Sequence, residues 1–129
     1  MDIWHCDALG NYSGINGADT TFMRGIQRTN AKGLAVFHSV YPGWYTGRTV
    51  HIHVKVHLGG SVVHTGQLFF NDSLTDRAYR KSPYNTRGSR DTRNAADSIY
   101  RNGGKKGLLS VRRHGSGYVA SIAMGVHTS

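Results

Sequence analysis

Tyr45-Thr46-Gly47-Arg48-Thr49-Val50-His51-Ile52-His53 brings a phenol, a guanidinium and two imidazoles together within nine positions, and the chain continues as Val54-Lys55-Val56. The alternation of apolar and polar residues from Ile52 onward, with its β-branched content, predicts a strand. Side chains two apart on a strand share a face, so His51 and His53 lie side by side. Two imidazoles so placed can offer two nitrogens to one metal ion, and imidazole suits iron, zinc, copper and nickel alike. With eight histidines in 129 residues a single His-x-His pair is unsurprising. Its company, Tyr45 and Arg48 just upstream, is what makes it a candidate site.

Downstream, Gly59-Gly60 separates the run 51–58 from the run 61–70, a strong hairpin signal. The hairpin raises a question of parity. With a regular two-residue loop Leu58 opposes Ser61 and His53 opposes Gly66, which turns Gln67 away from the histidines. One additional residue, in the loop or as a bulge, would set His53 opposite Gln67. Gln67 can share a site with His53 only in the second arrangement.

The remaining segments are short. Residues 2–6 read as a strand, and 10–17, rich in Gly, Ser and Asn, as a loop that carries Tyr12. Residues 22–29 and 34–40, either side of Asn30-Ala31-Lys32-Gly33, predict a second hairpin, and Pro42-Gly43 breaks the strand that follows. From 71 to 107 hydrophobic periodicity disappears, leaving a long irregular excursion with a weak short helix near 92–100. Residues 108–112 and 118–126 predict two closing strands around His114-Gly115-Ser116-Gly117. The expected fold class is therefore all-β, a β-sandwich with an excursion near 71–107, in one domain over 1–129.

Composition narrows the function. The formal charge of +9 favours anionic partners. Its arginines are scattered, however, and no recognition-helix pattern accompanies them, so no nucleic-acid partner is expected. No apolar run has membrane-spanning length, which argues against a membrane partner. A single cysteine, Cys6, excludes an internal disulfide and is expected to be a small buried residue. Nothing in the sequence reports the oligomeric state. No serine sits in a nucleophile-elbow sequence, and no phosphate-cradling glycine loop is present.

Four segments carry a resemblance. Asp2-Ile3-Trp4-His5-Cys6-Asp7-Ala8-Leu9-Gly10-Asn11-Tyr12, Tyr41-Pro42-Gly43-Trp44-Tyr45, Arg48 three residues before His51-Ile52-His53, and Thr65-Gly66-Gln67-Leu68-Phe69-Phe70 together resemble the intradiol ring-cleavage dioxygenases. The resemblance implies a non-haem Fe(3+) cofactor ligated by Tyr12, Tyr45, His51 and His53. Two phenolates would neutralise much of the charge of a trivalent ion, which favours ferric iron over zinc. It further implies a catechol-type substrate and O2 as partners, with cleavage between the hydroxylated carbons to a muconate-type dicarboxylic acid. Tyr45 would leave the metal as the catechol binds, Arg48 would stabilise negative charge on the ring, and Gln67 would lie in the same pocket.

In two respects the chain departs from the family pattern. The family's first tyrosine motif normally follows a substantial upstream segment, whereas here it begins at Asp2, so an N-terminally truncated catalytic domain is expected. The opening strand should then leave a bare sheet edge and exposed Ile3 and Trp4. The short Tyr45–His51 connection is similar to a secreted bacterial subgroup and implies an extracellular parent. A metal- or ligand-binding β-sandwich without turnover, and a basic module for polyanions, are the competing readings.

Overall fold

The computed structural model describes residues 1–12 and 23–126. The fold is all-β, with two antiparallel sheets. In the larger, β1 (Asp2–Trp4), β2 (Arg24–Ile26), β3 (His51–Leu58) and β4 (Ser61–Phe69) lie in the order β2-β1-β3-β4. The smaller is the hairpin of β5 (Ser110–His114) and β6 (Gly117–Ser121). Ile52 and Leu68 from the larger sheet and Val111 and Tyr118 from the smaller pack on one apolar cluster, Val50, Phe70, Leu74 and Leu109. That cluster is the core between the layers. Because side chains alternate along β3, the face carrying Ile52 turns to the core and the face carrying His51 and His53 turns away from it.

The Gly59-Gly60 connection is a tight two-residue turn, with φ of 56° and 85° at the two glycines, as a primed turn requires. Leu58 opposes Ser61 and His57 opposes Val62, but Val56 opposes His64, so Val63 is the additional residue of a β-bulge. Beyond it His53 opposes Gln67. The arrangement that puts Gln67 beside the histidines is therefore the one adopted, by a bulge and not by a longer loop.

Three expectations are corrected. Residues 34–40 form no strand: β2 pairs with β1, and Leu34, Val36 and Val40 are exposed, so their spacing does not mark a buried face. The turn itself forms, with the Gly33 amide donating to Asn30 O, while Phe22 lies outside the described residues. β1 is not a bare edge, being paired on both sides, and Ile3 and Trp4 are half-buried.

The excursion is built from short helical pieces. These are α1 (Asp72–Ala78) and α2 (Ser98–Arg101), with 3-10 turns at Tyr84–Arg87, Asn94–Ala96 and Gly104–Gly107. The Asn71 side chain caps α1 by accepting from the Ser73 amide, with Asp72 in the first turn and Arg77 in the last, both favourable to the helix dipole. α1 buries Leu74, Thr75 and Ala78. No helix among the described residues is long and apolar enough to cross a membrane.

Candidate metal centre

Two loops carry the phenols, and backbone contacts knit them together. The Gly43 amide donates to Asp7 O at 2.9 Å and the Cys6 thiol donates to Gly43 O at 3.2 Å. A Cβ on Gly43 would collide with the backbone of Ala8, and one on Gly10 with the carbonyl of Trp44. Glycine is thus required where the Tyr12 loop and the Tyr45 loop touch. Cys6 is buried, as expected, and burial pushes its thiol up to about 12, which leaves it a protonated packing residue. From the excursion, the Tyr79 hydroxyl donates to Pro42 O and the Tyr84 hydroxyl to Tyr41 O, each at 2.7 Å, while Arg87 Nη1 donates to Trp44 O at 2.6 Å. These bonds hold the segment that presents Tyr45.

Tyr12, Tyr45, His51 and His53 converge on one point. The Tyr12 hydroxyl oxygen lies 3.3 Å from that of Tyr45, 3.3 Å from His51 Nε2 and 3.2 Å from His53 Nε2. The Tyr45 oxygen is 3.1 Å from His51 Nε2, and the two Nε2 atoms are 3.2 Å apart. These are five of the six separations among the four donor atoms, and atoms each about 2.0 Å from a shared ion lie on the order of 3 Å apart, so the spacing suits one metal ion. The tautomer fits as well. His51 Nδ1 lies 2.7 Å from Thr49 O, which can only accept, so Nδ1 carries the proton and the Nε2 lone pair faces the centre. Trp4 stacks on His53, centroids 4.9 Å apart and planes within 5°, and fixes that ring.

Burial favours the neutral forms of Tyr12, His51 and His53. Burial pushes His51 down to about 4, with Arg48 and His53 acting in the same direction, and burial also lowers His53. Burial raises the Tyr12 phenol above its usual range, and its contact with Tyr45 raises it further. Among the described residues no three His, Cys, Asp or Glu side chains gather, so a metal at this point depends on the phenols.

Arg48 and Gln67 border the same point. Arg48 Nη1 is 3.5 Å from His51 Nε2, and Nη2 donates to Gln67 Oε1 at 2.5 Å. Sequence reasoning missed what holds Arg48. Its Nε donates to Asp97 Oδ2 at 2.8 Å, and the Asp97 carboxylate, wholly buried, also accepts from the amides of Thr49, Ile99 and Tyr100. Burial alone would raise Asp97, but these hydrogen bonds outweigh it and hold the carboxyl below its usual range. Asn94 completes the support by accepting from the Thr49 hydroxyl at 2.6 Å. The only local signal for Asp97 was an N-cap aspartate ahead of Ser98-Ile99-Tyr100.

Fold and site together define an all-β protein with a two-tyrosine, two-histidine donor set beside a fixed guanidinium. Comparison with protein-family models and with curated proteins gives no match. Solved structures do match. An intradiol ring-cleavage dioxygenase from Tetranychus urticae aligns over 99% of this chain and 72% of its own, at 33% identity and TM-score 0.90. A second dioxygenase aligns over 99% and 71%, at 33% identity and TM-score 0.92. The dioxygenase domain of a dioxygenase carbohydrate-binding protein fusion from the cellulolytic bacterium Streptomyces sp. SirexAA-E aligns over 94% of this chain and 62% of that one, at 30% identity and TM-score 0.67. The chain belongs to the intradiol ring-cleavage dioxygenase family.

Proposed function

We propose that the protein is a non-haem Fe(3+)-dependent intradiol dioxygenase that cleaves a catechol-type ring with O2 to a muconate-type dicarboxylic acid. The observation that carries this reading is the clustering of two phenol oxygens and two imidazole nitrogens, with five of their six separations at 3.1 to 3.3 Å. Tyr12, Tyr45, His51 and His53 would hold the iron, which when bound supplies a Lewis acid for the two catechol oxygens and an electron acceptor for the ring. Two phenolates would neutralise much of the charge of a trivalent ion, which supports ferric iron over a divalent one.

The chain's own groups then have distinct tasks. Tyr45 is placed to take up a catechol proton at its oxygen as the substrate enters. Arg48 presents a permanent positive charge where negative charge grows on the ring, with no proton transfer required. Gln67 and Asp97 keep that guanidinium from turning. Trp4 and Thr49 orient the two imidazoles.

Metal analysis, a visible spectrum and oxygen uptake test the proposal together. About one ferric ion per chain, a red-brown colour from tyrosinate-bound iron, and oxygen consumption with catechol are expected. Preference for zinc, or full retention of iron in a His51→Ala, His53→Ala double variant, would refute it.

A further inference from the structure

On the far side of the larger sheet from the histidines, α1 and the β5–β6 hairpin enclose a half-open cleft of about 450 Å³. Leu74, Val111 and Tyr118 form its apolar floor, and these three also belong to or pack on the core cluster. Its rim is wholly cationic: Arg77, Arg80 and Lys81 from the helical side, Arg112 and Arg113 from the hairpin. No acidic residue lines it.

The charge is sorted across α1. Asp72 and Asp76 are satisfied by Arg90 and Arg93 at 2.9 to 3.2 Å. By contrast, none of the five rim cations is in an ion pair among the described residues. In the adjoining aromatic group, the hydroxyls of Tyr41, Tyr79 and Tyr84 are all bonded inside the protein. The Tyr118 hydroxyl has no hydrogen-bond partner among the described residues, although its ring belongs to the same group. Val111, Arg113 and Tyr118 share one face of the hairpin, since Arg113 and Tyr118 are cross-strand partners and Val111 is two residues from Arg113.

We propose that this cleft binds a small organic anion that carries two or more carboxylates on an apolar body. The volume is that of a small-molecule pocket. The floor accepts an apolar or aromatic body, and the guanidinium forks match carboxylates in bidentate fashion. Arg113 on the hairpin and Arg77, Arg80 and Lys81 on the helical side favour an occupant with more than one negative charge, while Arg112, on the other face of the hairpin by the same alternation, adds only to the local positive charge. The proposal is independent of the metal-centre reading, because the two sites lie on opposite faces of β3 and β4.

Calorimetric titration of metal-free protein with benzene-1,3,5-tricarboxylate tests it, alongside the neutral trimethyl ester and sulfate at matched ionic strength. One saturable site is expected for the tricarboxylate and none for the ester or sulfate. Arg113→Ser and Lys81→Ser, both exposed and so tolerated by the fold, should each weaken binding by at least about tenfold, while Arg48→Ala should leave it unchanged. Binding lost in Arg48→Ala would place the anion at the metal centre and overturn the proposal. So would sulfate binding as well as the tricarboxylate does. Binding of a heparin-like polymer without binding of the tricarboxylate would reduce the rim to general surface charge, and equally overturn it.

Discussion

Arg48 Nε donates to Asp97 Oδ2 at 2.8 Å across 49 residues of sequence, joining the segment that leads into the donor-bearing strand to the excursion. The carboxylate side chain is fully buried and the guanidinium about one-fifth exposed. Removing the negative charge while keeping the shape isolates its role. Asp97→Asn should lower turnover on the order of tenfold by freeing the guanidinium to rotate, against about a hundredfold for Arg48→Ala. Both variants should keep their iron and colour. Equal iron content with unchanged oxygen uptake in Asp97→Asn would show that Arg48 is held well enough by Gln67 alone.

Gly43 tests the junction of the two phenol-bearing loops. A methyl group there meets the Ala8 backbone, which cannot give way as a side-chain tip could. Gly43→Ala is expected to cost about 1–3 kcal/mol of stability. It should also part Tyr45 from Tyr12, lowering iron occupancy more than Gly125→Ala, where the space beside the glycine is open and the backbone is not left-handed. Iron content and urea midpoints of the two variants decide the matter.

Three histidines, His5, His51 and His53, have pKa values lowered by burial, His51 to about 4 from an unfolded 6.5. The unfolded chain therefore binds protons that the folded one refuses. In the metal-free protein their contribution is fully present above pH 6.5 and is lost as the pH falls towards 4. Urea midpoints should decline across that window, and less steeply in His51→Gln. The lowered carboxyls, Asp76 and Asp97, titrate below 3.8 and so do not confuse the comparison. A flat midpoint between pH 7 and 5 would contradict the burial of these rings.

The stacking of Trp4 on His53 supplies an optical reporter. Ferric loading should quench tryptophan emission stoichiometrically, and Trp4→Phe should remove most of that quenching while Trp44 continues to emit. Undiminished quenching in the variant would show that Trp44, and not Trp4, reports the ion.

Much of this was legible in the sequence, for identifiable reasons. His51 and His53 fall two apart on a strand, so their common face follows from the pleat, and a place for Gln67 beside them required either an odd-length loop or a bulge, of which the bulge at Val63 is the one found. The tyrosines were legible through their glycine-containing motifs, and those glycines prove to sit where the two loops touch. Asp97 was not legible, because it works from a segment without periodicity and reaches Arg48 only through tertiary packing. The strand expected over 34–40 failed because β1 offered β2 a better partner and left Leu34, Val36 and Val40 facing solvent. α1 went unseen because only Leu74, Thr75 and Ala78 are buried, a pattern too brief to register as a helical stripe.

The bulge at Val63 also separates the tip of the β3–β4 hairpin from its chemistry. A strand that gains or loses a single residue ordinarily inverts every side chain beyond the change. Here such a change has a place to be absorbed before it reaches Gln67, because the unpaired residue can be surrendered with His57 still opposite Val62 and Val56 still opposite His64. The outer end of the hairpin is thus the place to lose a residue or to accept a grafted tag or reporter while the inner end keeps its alignment.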